Sequence, residues 1–445
     1  MFNVSGSPRH FVPRDDGRKA AWPRLLYTLG LWLLLPYIFF HLLWRGRKQP
    51  EYLRHIPERF GLYRQRSDKP VIWLHAVSVG ETRATQSLVA RLLEDFPEHD
   101  ILITHTTPTG RATGEQLYGD RVLRAYLPYD YPFAVKRFLH HFRPRLGILM
   151  ETEVWFNLIH HSRRNEIPLL LLNARMSEKS ARGYGRFPRL TSEALGKLAA
   201  VAAQTEEDAG RLAGLGARNV SVMGNLKFDI EPPAAMLELG KRLRERFGAE
   251  RKVLLAASTR EGEEELLLDA FARIGLPGLL LVLVPRHPQR FDDVAGLLAE
   301  RGLRFRRRSE DGEVSPDTQV VLGDSMGEMF AYYAAADLAF IGGSLLPYGG
   351  QNLIEACAVG TPVIVGPHMF NFGEATRSAV ETGCASRIED AGELPAAALR
   401  LLENPAMLDE RRQQCRLFVE RHQGATGKAL AIVSAHITPH APSLR

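Results

Sequence analysis

IGGSLLPYGGQNLIEACAVGTPVIVGP, Ile341 to Pro367, is the stretch on which the fold turns. It leaves an apolar strand, Leu338 to Ile341, passes through glycine-rich turns and the polar pair Gln351-Asn352, and enters a helix carrying Glu355. It closes on a second strand, Pro362 to Val365. Strand, turn, helix and strand make a βαβ unit, so the sheet is parallel. Backbone amides at such a helix start can hold a phosphate, and Glu355, less than two turns in, can reach a ribose diol. No GxxxxGK[ST] or GxGxxG competes with this reading.

The same alternation extends in both directions. Upstream, the candidate strands are Val71 to His75, Ile101 to Thr104, Val122 to Tyr126, Leu146 to Met150, Leu169 to Leu172, Val201 to Gln204 and Val220 to Met223. Helical period fills most of the gaps, as in Arg83 to Leu93 and Phe133 to Phe142. The double proline in Gly224 to Met236 interrupts the rhythm and reads as a linker. A second set follows: Lys252 to Ala257, Leu279 to Val284, Gln319 to Leu322, then the two strands already named. The expectation is an α/β protein of two doubly wound domains around a cleft, with ligands bound outside the carboxyl ends of the strands.

The 445 residues are 45% hydrophobic and 24% charged, which excludes a disordered, collagen-like or coiled-coil chain. The net charge of +6 is unevenly placed. Residues 1 to 66 hold Arg9, Arg14, Arg18, Lys19, Arg24, Arg45, Arg47, Lys48, Arg54, Arg59, Arg64 and Arg66 against Asp15, Asp16, Glu51 and Glu58, a net +8, leaving −2 for the rest. Between these cations runs LLYTLGLWLLLPYIFFHLLW, Leu25 to Trp44, uncharged and, at about 1.5 Å per residue, roughly as long as a bilayer core is thick. With Trp22, Trp32, Tyr37 and Trp44 it reads as a membrane anchor, spanning or shallow, with a buried core helix as the alternative. The excess of cations after the run places the larger C-terminal part in the cytoplasm. Basic residues that flank an apolar segment, with no recognition motif, exclude nucleic acid as the partner. Cys357, Cys384 and Cys415 stand far apart and form no metal or disulfide pattern, and His140-His141 and His160-His161 read as solvated helix ends.

Chemistry is sought just after the strands. HAVSVGET, His75 to Thr82, offers Ser78, Gly80 for close backbone approach, and Glu81 at a helix start, either a general base or a helix cap. Thr107 in THTTPTG is a hydroxyl-binding turn residue or a cap, and Asp130 in LPYDYP an N-cap. ETEVWFN brings Glu151 and Glu153, carboxylates that diverge too much to share a proton. Arg175, Lys179 and Lys227 add cations to the same rim, suited to an acidic ligand. In the second half, Arg286 and His287 of VPRHP follow an apolar strand, where a guanidinium suits a phosphate or carboxylate. GDSMGEM turns through Met326 and Gly327 into a helix.

Taken in order, HAVSVGET, ETEVWFN, NARMSEKS, GNLKFD, STREGEE, PRHP, GDSMGEM, GGSLLPYGGQN and GPHMFNF closely resemble the bacterial Kdo transferases from about Arg54 to Thr376. These membrane-associated enzymes transfer 3-deoxy-D-manno-octulosonic acid (Kdo) from CMP-Kdo to the lipid A precursor. The resemblance implies a GT-B fold, two Rossmann-like doubly wound domains facing across a cleft, with an N-terminal membrane-anchoring helix. It implies that Glu81 is the catalytic base, that Lys227 and Arg286, with His287, bind the donor's phosphate and carboxylate, and that Met326, Gly327, Asn352 and Glu355 lie on the nucleotide side. Ser78, Gly80, Thr107, Glu151, Glu153, Arg175, Lys179 and Gln351 form the substrate rim. Two positions depart from the common family form: Gln351 stands where histidine is usual, and Arg260 ends Ser258-Thr259-Arg260 where STH is usual.

The expected organisation is an extension and anchor over 1–48, an acceptor-side domain over 49–230, a linker and helix over 231–250, a CMP-Kdo-binding domain over 251–425 and a helical tail over 426–445. The expected function is inverting transfer of Kdo to the lipid A precursor at the cytoplasmic face of the inner membrane. CMP-Kdo is a substrate, neither cofactor nor metal is expected, the anionic membrane is a partner, and nothing in the chain specifies an oligomeric state. The competing readings are a GT-B enzyme using a UDP-sugar and an inactive sugar-nucleotide-binding scaffold.

Overall fold

The computed structural model describes residues 21–310 and 313–437. Arg9, Arg14, Arg18, Lys19, Asp15 and Asp16 of the basic segment, and the tail beyond residue 437, lie outside the described residues. The chain forms two compact units: one runs to Leu226 and resumes at Gly424, the other is Lys227–Gln423.

The first unit holds β1 (Val71–His75), β2 (Asp100–His105), β3 (Leu123–Tyr126), β4 (Pro144–Met150), β5 (Leu169–Ala174), β6 (Ala200–Ala203) and β7 (Val220–Val222). They form one parallel sheet in the order β3-β2-β1-β4-β5-β6-β7. Helices cover both faces, so β1, β5 and β6 are buried along their whole length, and the strands read as unbroken apolar runs. Successive residues alternate between two cores: Val71 and Trp73 join Phe138 and Leu149 on one face, while Ile72 and Leu74 join Leu88 and Leu92 on the other. The last helix, Ala425–His436, completes the second of these cores with Ala425, Ala429, Leu430 and Val433, one helical face by spacing. The expected helix over Arg83 to Leu93 is two, Val79–Ala84 and Gln86–Asp95.

The second unit repeats the plan with β8 (Val253–Thr259), β9 (Leu280–Pro285), β10 (Phe305–Arg307), β11 (Val320–Leu322), β12 (Leu338–Ile341), β13 (Val363–Val365) and β14 (Ala385–Arg387). Their order is β10-β11-β9-β8-β12-β13-β14, again all parallel. Sequence reading misses β10 and β14 because each is a three-residue edge strand ending in arginine, too short to show a hydrophobic period. The helix Ala234–Phe247 belongs to this unit, where Leu243 and Phe247 enter its core.

The apolar segment is one helix, Ala21–Lys48, with Pro36 inside it, and Trp22–Arg47 is long and apolar enough to cross a membrane by length and composition. It is no core helix: Leu33 is 75% exposed and Phe40 69%. Its first half docks on its own unit. The Tyr27 hydroxyl donates to Asp130 Oδ2 (3.0 Å), the Tyr131 hydroxyl donates to the Leu31 carbonyl (2.6 Å), and Trp32 packs on Tyr131 and Phe133.

Asp130 caps a helix distant in sequence. Its carboxylate accepts from the backbone N–H groups of Asn157 (2.9 Å) and Leu158 (2.8 Å), at the start of Phe156–Arg164. Full burial pushes this carboxyl up to about 7, while those amides and Tyr27 pull it down. Of the histidines expected to be solvated, His161 is buried within the same helix, and burial lowers its pKa to about 4. Asp130→Ala leaves two N–H groups without their acceptor; it is expected to destabilise the first unit by about 2–4 kcal/mol, measured by denaturant unfolding.

Candidate active site

In a parallel sheet every carboxyl end lies along one edge, and a crevice opens where strand order reverses. That reversal falls between β1 and β4 in the first unit and between β8 and β12 in the second. HAVSVGET and ETEVWFN flank the first; the turn through Ser258-Thr259-Arg260 and the glycine-rich loop from Gly342 flank the second. Three non-glycine residues with left-handed backbone occur at strand ends here: Glu151 (φ 57°), Asn173 (φ 53°) and Ser258 (φ 57°). Such strain concentrates where a fold positions functional groups.

In the first unit, Ser78 and Glu81 form a reciprocal cap on Val79–Ala84. The Ser78 hydroxyl donates to Glu81 Oε1 (2.9 Å) and accepts from the Glu81 N–H (3.3 Å), while the Val77 N–H donates to Glu81 Oε2 (2.8 Å). The Val77 carbonyl accepts from the Thr107 hydroxyl (3.0 Å), and Thr107 in turn caps Pro108–Tyr118. A Cβ on Gly110 would stand 2.8 Å from that carbonyl, so only glycine lets the two turns meet. Burial raises the Glu81 pKa, and the carboxylates of Glu151 and Glu153 push the same way, against the bonds from Val77 and Ser78. Glu81 is therefore both cap and proton-accepting candidate, fixed in place by the capping itself. Gly80 is exposed beside it, with only the Ser78 side chain within 4 Å of where a Cβ would be. Arg175 and Lys179 follow β5 and are exposed.

Two histidines that sequence reading passes over support this rim. His75, fully buried at the end of β1, holds Nδ1 at 2.9 Å from Thr104 Oγ1, and its Nε2 lies 3.8 Å from Glu153 Oε2. Glu153 also accepts from Trp155 Nε1 (2.6 Å). His105 Nδ1 donates to the Ala76 carbonyl (2.9 Å), and burial drives its pKa down to about 3, so the ring is neutral. Their only sequence signal is position, one at the end of each of two adjacent strands. Arg59, counted above among the basic segment's cations, is 4% exposed; it donates to the Thr106 carbonyl (3.1 Å) and stacks 4.2 Å from the Tyr126 ring centroid.

In the second unit, fully buried Glu263 ties the two flanking loops together. It accepts from the N–H groups of Arg260 (2.9 Å), Gly343 (2.6 Å) and Leu345 (2.9 Å). The two departures from the family form meet around Gly343: a Cβ there would lie 3.2 Å from Gln351 Nε2 and 3.5 Å from Arg260 Cγ, and Arg260 stacks 4.5 Å from the Tyr348 ring. Arg286 follows β9, its N–H bonded to the Thr259 carbonyl (3.0 Å). His287 stands beside it; partial burial and then Arg260, Arg286 and Arg290 lower its pKa, marking a concentration of positive charge. Arg290 is itself paired with buried Glu264 (3.1 Å).

Just before Ile354–Ala358, the Asn352 side chain accepts from the Ile354 N–H (3.0 Å) and donates to Glu355 Oε1 (3.1 Å). That helix has five residues and its first amide is already engaged, so its N–H groups have less to offer a phosphate than the sequence suggests. Met326 is 58% exposed and Gly327 turns at φ 83° after β11. Lys227, the first residue of the second unit, has its Nζ 5.5 Å from the Phe372 ring. The cysteines, read as standing apart, converge: all three are buried, with their sulfurs within 4.8 Å of one another.

Residues 54–230 match the family model described as 3-deoxy-D-manno-octulosonic-acid transferase (kdotransferase), and residues 254–418 match glycosyl transferases group 1. The chain is 46% identical over 423 residues to the 3-deoxy-D-manno-octulosonic acid transferase of Bordetella pertussis, covering 92% of this chain and 98% of that protein. It is 38% identical over 394 residues to the enzyme of the same name from Haemophilus influenzae, covering 87% and 92% respectively. A crystal structure of a glycosyltransferase from Rickettsia africae, 14% identical, covers 84% of this chain and all of that one with a TM-score of 0.56, a likeness of fold alone. The chain thus belongs to the 3-deoxy-D-manno-octulosonic acid transferase family, glycosyltransferases of GT-B fold.

Proposed function

We propose that this transferase moves Kdo from CMP-Kdo to a lipid A precursor at the cytoplasmic face of the inner membrane, with inversion at the anomeric carbon. Glu81 carries the reading. It is a carboxylate at the strand-order reversal, fixed by Ser78 and Val77, with its pKa raised by burial and by Glu151 and Glu153. Such a group accepts the proton of an acceptor hydroxyl as that oxygen attacks the anomeric carbon. The C–O bond to CMP breaks, and negative charge on the departing phosphate is met by Arg286 and Lys227, with His287 beside them. Asn352 and Glu355 serve the nucleotide side, and Met326 and Gly327 border it. The other rim residues serve substrate placement, Ser78, Gly80, Thr107, Glu151 and Glu153 around Glu81, Arg175 and Lys179 as cations for an acidic acceptor, and Gln351 beside the glycine-rich loop.

The lipid acceptor is supported by the exposed apolar face of Ala21–Lys48 on the unit that carries Glu81. The helix serves as an anchor lying in the membrane interface. Incubating the purified protein with CMP-Kdo and tetraacyl lipid A precursor, followed by mass spectrometry of the lipid, is expected to show added Kdo; an unmodified lipid refutes the reading. Thermal protection by CMP and not by UDP separates it from a UDP-sugar transferase.

Glu81→Gln is expected to lower kcat at least ~100-fold. Because the ionised form is the base, wild-type kcat rises with pH through a limb above the ordinary glutamate pKa of about 4.3, and the variant lacks that limb. Arg286→Ala is expected to raise KM for the donor about tenfold or more while leaving KM for the acceptor unchanged, read by steady-state kinetics with each substrate varied.

A further inference from the structure

The chain has three cysteines in 445 residues, and all three meet in the second unit. Cys357 lies on Ile354–Ala358, Cys384 just before β14, and Cys415 on Pro405–His422. Each is at most 1% exposed, their sulfurs lie within 4.8 Å of one another, and those of Cys357 and Cys384 are 3.9 Å apart. With a metal–sulfur bond of about 2.3 Å, a planar three-sulfur site needs sulfurs about 4 Å apart, so the ligands stand close to the required triangle already. Arg411, one turn before Cys415, donates to the carbonyl of Gly383 beside Cys384, and its charge offsets part of the negative charge of a three-thiolate centre.

No histidine or carboxylate completes a fourth position in this cluster among the described residues. Zinc prefers four ligands, whereas soft thiolates without a fourth donor suit a monovalent thiophilic ion. We propose that Cys357, Cys384 and Cys415 form a three-thiolate site for a cation of the Cu(I) class. Each thiol that becomes a ligand releases its proton to solvent, and no electron is transferred. Occupancy ties the helix bearing Glu355 to Pro405–His422 and to the turn before β14, joining three elements through one centre.

The test is anaerobic titration of the full chain with Cu(I) alone, against a chromogenic chelator. The expected result is one Cu(I) per chain, an X-ray absorption spectrum with a shell of three sulfurs, and an unfolding midpoint raised by about 5 °C or more. Cys357→Ala, Cys384→Ala and Cys415→Ala are each expected to weaken binding by at least ~100-fold and to abolish the rise in midpoint. Wild-type protein that takes up no Cu(I), wild-type affinity in any single variant, or a shell with nitrogen, oxygen or two sulfurs overturns the proposal. The spectrum of the wild type decides the matter even where a variant fails to fold.

Discussion

Both units depend on buried carboxylates that accept backbone N–H groups from a second element. Asp130 holds the start of Phe156–Arg164, and Glu263 draws three amides from two loops. Asp208 accepts from the Met176 N–H (2.7 Å), and Asp337 accepts from the Val253 N–H (2.9 Å) while pairing with Arg244 and Arg412. A carboxylate in such a place loses hydration, and the bonds it receives offset that loss only while every partner stays in position. Asp130, Asp208 and Glu263 therefore each fix a turn at the carboxyl edge of their sheet, whereas Asp337 ties the starts of β8 and β12 together at the opposite edge. The proposed chemistry lies at the turns of the carboxyl edges, so rigidity there is what those three clamps would contribute to it.

Glu81 is the same device with one difference. It takes the Val77 N–H and the Ser78 hydroxyl as a cap does, yet it is only partly buried and has two further carboxylates in its field. Capping and proton acceptance are then complementary. The cap restricts the side chain to one orientation, and burial with Glu151 and Glu153 raises its affinity for a proton. A fully exposed capping glutamate would have the position without the basicity; a fully buried clamp such as Glu263 has the position without access.

Periodic features were legible in the sequence, and tertiary ones were not. Long apolar strands fixed the alternation and both parallel sheets, because burial on two faces leaves an unbroken hydrophobic run. The three-residue edge strands β10 and β14 carry no such run. Ser78, Glu81 and Thr107 follow strands in short turns, where local capping chemistry sets their geometry and the sequence shows it. His75 and His105 have their partners on neighbouring strands and turns, and nothing local marks them; Glu263 has one local bond, to the Arg260 N–H, but its bonds to Gly343 and Leu345 come from a loop about eighty residues away. Arg59 shows the converse: counted as a surface cation, it is stacked on Tyr126 and buried. The cysteines converge only once the helices bearing Cys357 and Cys415 pack near the turn holding Cys384.

The docked half of Ala21–Lys48 bears on how the proposed anchor meets the membrane. Contacts with the first unit run from Arg24, whose Nη1 lies 3.4 Å from Asn157 Oδ1, through Tyr27, Thr28 and Leu31 to Trp32. The apolar run after Trp32, Leu33 to Trp44, is twelve residues, and Leu42 within it is itself packed in the protein, 5% exposed. At about 1.5 Å per residue it extends roughly 18 Å, well short of the roughly 30 Å hydrocarbon core. A spanning orientation would carry the docked polar groups and the sheet beneath them into lipid, at the cost of their hydration. An orientation within one leaflet has no such cost. It would bury Leu33, Phe39 and Phe40 in the acyl region and leave exposed Arg45, Arg47 and Arg54 at the headgroups. With Arg59 committed to the interior of the domain, those exposed arginines, with Arg64 and Arg66, are the ones that would attract anionic lipid in the proposed orientation.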